Sequence, residues 1–142
     1  PVTRGGYVHI EVLPTYAGMG GGGTGDGDVS FVAFSRDLIE LELRADPGDL
    51  LAMIAEGNSM EPHFFGGDQI LVHKGKRSLA QPGAFCLWDG DGHVIKYLER
   101  LPNTNPPRVR VISANGMYSA HELLLEEINI VGRVIWLGRR VQ

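Results

Sequence analysis

No apolar stretch in this chain runs far before turn chemistry interrupts it, and that punctuation restricts the fold more than any other feature. Gly66-Gly67-Asp68, Gln81-Pro82-Gly83, Asp89-Gly90-Asp91-Gly92 and Asn105-Pro106-Pro107 fall between apolar segments at 51–56, 69–73, 84–88, 93–100 and 108–113, and a last segment spans 128–137. Glycine supplies positive φ and proline fixes φ, so such clusters mark turns and the segments between them read as short strands. Upstream, Tyr7-Val8-His9-Ile10-Glu11-Val12-Leu13 alternates with a strand period until Pro14 redirects the chain. Residues 29–34 read as another strand, and Ser35-Arg36-Asp37-Leu38-Ile39-Glu40-Leu41 as a short helix with Ser35 as N-cap. Asp46-Pro47-Gly48-Asp49 closes that unit with a turn. The fold expected is mainly β, compact, made of short strands with little helix and no internal repeat. At 142 residues the chain is long enough to bury a core without disulfide or metal support.

Gly18 to Asp28 is glycine-dominated, too poor in side chains to pack a core and entropically costly to order. It lacks the Lys and Ser or Thr that a phosphate-binding loop places after its last glycine, and reads as a mobile loop. Residues 1–28 are therefore expected to be an N-terminal strand with a flexible loop, and 29–142 the main domain. A net charge of −4 opposes broad attraction to nucleic acid, and Arg133, Arg139 and Arg140 read as a solvated strand end. The single Cys86 excludes an internal disulfide, and its neighbours Phe85, Leu87 and Trp88 suggest a buried small hydrophobe. These features point to a reducing cytoplasm. No apolar run has the length of a membrane span, and the start at Pro1 suggests a piece of a longer protein.

Two residues carry chemical interest. Ser59 lies in Glu56-Gly57-Asn58-Ser59-Met60-Glu61-Pro62, presented on a turn after an apolar strand. Such a serine is either a local backbone cap or a nucleophile awaiting a base. His9, His63, His73, His93 and His121 are scattered without an orienting acid or ligand spacing, so neither a histidine base nor a metal site is indicated. Lys96 sits within His93-Val94-Ile95-Lys96-Tyr97-Leu98, on the strand face of Val94 and Leu98. An ordinary lysine is neutral in about one molecule in two thousand at pH 7. Burial of that face would lower its pKa and supply a neutral amine. If Ile95 and Tyr97 face inward instead, Lys96 is simply solvated.

Taken together, Gly57-Asn58-Ser59-Met60-Glu61-Pro62, Gly67-Asp68-Gln69-Ile70-Leu71-Val72, Val94-Ile95-Lys96-Tyr97-Leu98, Ile112-Ser113-Ala114-Asn115 and Val131-Gly132-Arg133-Val134-Ile135-Trp136 resemble the LexA, UmuD and lambdoid repressor family of self-cleaving Ser–Lys peptidases. The likeness spans most of the chain, and the separation of 37 positions from Ser59 to Lys96 fits it. It implies a LexA and signal-peptidase-like β fold, with Ser59 as nucleophile, Lys96 as base and the backbone N–H groups at Asn58 and Ser59 as oxyanion donors. It further implies cleavage of the same chain at an upstream Ala-Gly bond, here Ala17-Gly18, with no cofactor.

Family members dimerise, carry an N-terminal helix-turn-helix that binds operator DNA, and are commonly triggered by the RecA filament on DNA damage. The resemblance thus implies a homodimer, with residues 130–137 as a candidate dimer edge, and operator contact only through a helix-turn-helix domain absent from this chain. Residues 20–28 are richer in glycine than the family pattern, which leaves a second reading open, and the short segment before Ala17 suits a third, against which Pro1 argues. The second is a catalytically silent dimerisation or ligand-sensing module. The third is a UmuD-like accessory protein of a DNA-damage polymerase. Signal peptidases share the Ser–Lys chemistry but act at a membrane, for which no anchor is seen here.

Overall fold

A computed structural model of the chain describes residues 5–14 and 29–141. They form one nine-stranded sheet: β1 Tyr7–Val12, β2 Phe31–Ser35, β3 Leu50–Ile54, β4 Gln69–His73, β5 Gly83–Trp88, β6 His93–Arg100, β7 Arg108–Ile112, β8 His121–Leu124 and β9 Asn129–Gly138, in spatial order β2-β1-β3-β4-β9-β5-β6-β7-β8. The mainly β expectation holds. All strand pairs are antiparallel except β1 with β3, which run side by side in the same direction.

The long strand β9 joins two halves of the sheet. Its first half pairs with β5, from Asn129 opposite Trp88 to Arg133 opposite Phe85, and its second half pairs with β4, from Arg133 opposite His73 to Gly138 opposite Gln69. Gly132 sits at the changeover, where a Cβ would lie 2.2 Å from the His73 carbonyl oxygen. Only glycine permits that approach of two backbones. The candidate edge at residues 130–137 spans both halves, and residues 129–132 have β5 on one side and no second strand among the described residues. Residues 134–138 have β4 on one side and no second strand among the described residues.

Three apolar clusters follow from the alternation. Val8, Ile10, Phe34, Leu50, Ala52 and Leu71 pack beneath the short helix Asp37–Glu42, whose Ile39 is fully buried among them. Leu51, Met53, Ile70, Val72, Cys86 and Ile95 form a second cluster, and Phe85, Leu87, Leu98, Val109 and Val111 a third. The helix is wide, with Leu43 N–H donating to the Leu38 carbonyl five residues back. Ser35 ends β2 and its Oγ accepts from Leu38 N–H at 3.4 Å, so the capping atom foreseen is used.

Strand ends differ from expectation by a residue or two, except β4 and β6, which match. Strand β8 was not foreseen, because Glu122-Leu123-Leu124-Leu125 lacks a strand period; its pairing with β7, Leu123 opposite Val109, makes it one. Two of the three C-terminal arginines are corrected too, while Arg140 is exposed. Arg133 donates to the Gln81 and Pro82 carbonyls and stacks over Phe85, and Arg139 grips the buried Asp68. They hold loops that a solvated strand end would leave loose.

Candidate active site

Ser59 is positioned by what flanks it. Strand β3 ends at Ile54, Ala55 remains tied to the far side of the loop through its N–H to the Asp68 carbonyl and its carbonyl to Gly67 N–H, and Gly57 turns the chain at φ +77°. Beyond the serine, His63 and Phe64 N–H donate to the Met60 carbonyl, while the Met60 and Phe64 side chains are buried in the second cluster. Ser59 is thus held half-buried between an apolar anchor and a strand end. Among the described residues no backbone carbonyl accepts the N–H of Asn58 or Ser59.

Lys96 projects from β6, opposite Phe85 of β5, and its Nζ lies 3.0 Å from Ser59 Oγ and 2.8 Å from Ser113 Oγ. The question of which β6 face is inward resolves in an unexpected way, because both are covered. Ile95 and Tyr97 pack into the second cluster, and Val94 and Leu98 into the third. Lys96 emerges half-buried between them. Burial lowers its pKa below the ordinary lysine value, while the Asp89 carboxylate pulls the other way. Asp89 is itself occupied, accepting the N–H groups of Asp91 and Gly92.

Lys96 Nζ donates to both hydroxyls, and the same arrangement serves once the amine is neutral. A neutral Nζ has two N–H donors and one lone pair, so an N–H directed at Ser113 leaves the lone pair free to accept from the Ser59 hydroxyl. The Tyr118 ring covers the pair, its centroid 5.8 Å from Nζ. A cavity of about 210 Å³ opens beside Ser59, lined among others by Met53, Ala55, His93 and Ile95. No histidine is hydrogen-bonded to Ser59 among the described residues; His63 bonds the Tyr97 hydroxyl and His93 the Pro14 carbonyl. Cys86 is fully buried, and burial pushes its thiol up to about 12, which makes it inert.

The structure therefore brings Ser59, Lys96 and Asn58 together, whereas Ala17 and Gly18 lie outside the described residues. Ser113 was missed as a site residue. Its segment entered the family likeness, but a serine just past a strand end has no local signal that separates a lysine partner from a turn cap.

A β domain that sets a serine hydroxyl against a half-buried lysine has the make-up of the Ser–Lys class of hydrolases. Residues 15–135 match the family described as Peptidase S24-like, and the chain belongs to that family of serine peptidases, the family of LexA, UmuD and lambdoid repressor C-terminal domains. No curated protein matches the chain. Among the described residues no helix is long and apolar enough to cross a membrane.

Proposed function

We propose that this chain is the self-cleavage and dimerisation domain of a LexA-like or prophage-type transcriptional repressor, cutting its own backbone between Ala17 and Gly18. Neutral Lys96 takes the Ser59 hydroxyl proton as Ser59 Oγ attacks the Ala17 carbonyl, and the N–H groups of Asn58 and Ser59 receive the oxyanion. The Lys96 ammonium returns the proton to the Gly18 nitrogen as the C–N bond breaks. Water, deprotonated by Lys96, then releases the Ala17 carboxylate. The observation that carries this reading is the Lys96 Nζ contact with Ser59 Oγ at 3.0 Å, with Ser113 taking a second bond.

The course of the chain up to Pro14 supports delivery of an upstream segment to this site. Strand β1 runs parallel to β3 with Glu11 opposite Leu51 and Val12 opposite Ala52, and Leu13 N–H continues the ladder to the Ala52 carbonyl. The described part of the segment thus runs in the direction of the β3 end that leads into Ser59. Pro14 already bonds His93, which lines the cavity beside Ser59. Intramolecular delivery supplies high effective concentration, so regulation acts on docking of the segment.

In this reading the chain acts as a cytoplasmic homodimer, with the open side of residues 134–138 as the pairing edge, and cutting severs it from a helix-turn-helix head on operator DNA. The RecA filament is the trigger. Incubation at pH 10 followed by intact-mass analysis tests the bond: fragments ending at Ala17 and starting at Gly18 are expected, and Gly18→Val should abolish them. Cleavage at another bond, or an intact chain, would overturn the proposal.

A further inference from the structure

The loop after β7 does more than supply Ser113. Asn115 makes two bonds to the nucleophile turn: its backbone N–H donates to the Ser59 carbonyl at 2.9 Å, and its side-chain Nδ2 donates to the Asn58 carbonyl at 3.0 Å. Its Oδ1 accepts from Met117 N–H at 2.9 Å, which fixes the amide so that Nδ2 faces Asn58. The Tyr118 hydroxyl donates to Asn58 Oδ1, and Tyr118 N–H returns to the Asn115 carbonyl at 3.1 Å. One asparagine thus reaches both peptide carbonyls that flank the nucleophile's own backbone, sharing the Asn58 carbonyl with the Glu61 N–H at 3.2 Å.

In a trans peptide the N–H points opposite to the C=O. The Asn58 carbonyl belongs to the same peptide plane as the Ser59 N–H, and the Ser59 carbonyl to the same plane as the Met60 N–H. Drawing both carbonyls toward Asn115 turns both N–H groups away from it, and neither donates to a backbone carbonyl among the described residues. Unspent donors beside a nucleophilic oxygen are what an oxyanion site requires, provided they cannot rotate away.

We propose that Asn115 is a positioning residue that sets the oxyanion donor at Ser59, by anchoring the Asn58 and Ser59 carbonyls through its side-chain and backbone donors. The proposal rests on the self-cleavage reading and deepens it: Ser113 aligns the base, and Asn115, two residues on, aligns the electrophilic side of the same site. The loop at 113–118 then acts as a single brace for both halves of the chemistry.

The test uses the full chain with Asn115→Ala and the near-isosteric Asn115→Asp, which keeps the Met117 acceptor and loses the Asn58 donor. Self-cleavage rates across pH and the Ser59 amide resonance are measured for each. Asn115→Ala should lower the plateau rate about 100-fold while leaving the pH midpoint in place, since Lys96 keeps Ser59 and Ser113. Asn115→Asp should be no faster. A wild-type plateau in Asn115→Ala overturns the proposal, as does a lowered rate with a displaced midpoint, which would mean that Asn115 acts through Lys96. An uncut wild-type chain would defeat the peptidase reading instead. An unchanged Ser59 amide resonance in Asn115→Ala would overturn the positioning role independently of any cutting.

Discussion

Replacing Gly132 with alanine forces apart the two halves of the sheet at the point where they share β9. The added Cβ would stand 2.2 Å from the His73 carbonyl oxygen and 2.7 Å from its carbon, and both are backbone atoms that no rotamer change can move. Relief to ordinary contact needs a displacement of about 1 Å, and overpacking of this kind costs about 3 kcal/mol. At roughly 3 °C per kcal/mol for a chain of this size, the melting temperature should fall by about 9 °C. The same displacement reaches the site, because β3 of one half leads into Ser59 and β6 of the other carries Lys96. A misplacement of about 1 Å can slow a reaction about 100-fold. Thermal melts by circular dichroism and self-cleavage rates at pH 10 measure the two effects. Gly48→Ala serves as control, since its Cβ would meet only Asp46 Oδ1 at 3.5 Å, an ordinary contact. A variant that melts with wild type, or that loses stability yet cuts at the wild-type rate, would refute the role given to the β9 junction.

Three further outcomes are expected. Arg139→Ala should lower the melting temperature at neutral pH: the Arg139 hydrogen bonds hold the Asp68 carboxyl below the usual range against the opposing effect of burial, a stabilisation present above about pH 4 and lost as pH falls through the folded pKa. The gap between variant and wild type should therefore narrow in melts below that pH. Lys96→Met should abolish cutting and raise the melting temperature at pH 7. Because the folded-state pKa of Lys96 is lowered, the native chain gains stability as pH rises from that value toward 10.5, and melts of the variant should lack this rise. Ser113→Ala should slow cutting about tenfold or more, with Ser113→Thr restoring part of the rate; a wild-type rate in Ser113→Ala would remove Ser113 from the site.

What the sequence disclosed was what local chemistry controls. Gly66-Gly67-Asp68 and Asp89-Gly90-Asp91-Gly92 bracket β4 and β6 so sharply that turn residues alone give their starts, and both strands have the expected bounds. Strand β8 stayed hidden because its leucine run has no alternation and its state is fixed by pairing with β7. Lys96 was visible as a lysine in an apolar strand, but its surroundings were not, since burial on both faces of β6 depends on clusters contributed by β3, β4, β5 and β7. Ser113, Asn115 and the grip of Arg139 on Asp68 are long-range contacts between loops, and periodicity carries no trace of them. The bond at Ala17-Gly18 was legible only through the family likeness and its place upstream of Ser59.

The central claim, that Lys96 is the base for Ser59, is tested most directly by the rate of self-cleavage of the full chain from pH 6 to pH 11, with Ser59→Ala and Lys96→Ala in parallel. The account predicts a rate that rises with pH and levels off once Lys96 is neutral, with a midpoint below the ordinary lysine value, and no cutting in either variant. Cutting that persists in Lys96→Ala with an unchanged pH dependence would contradict it.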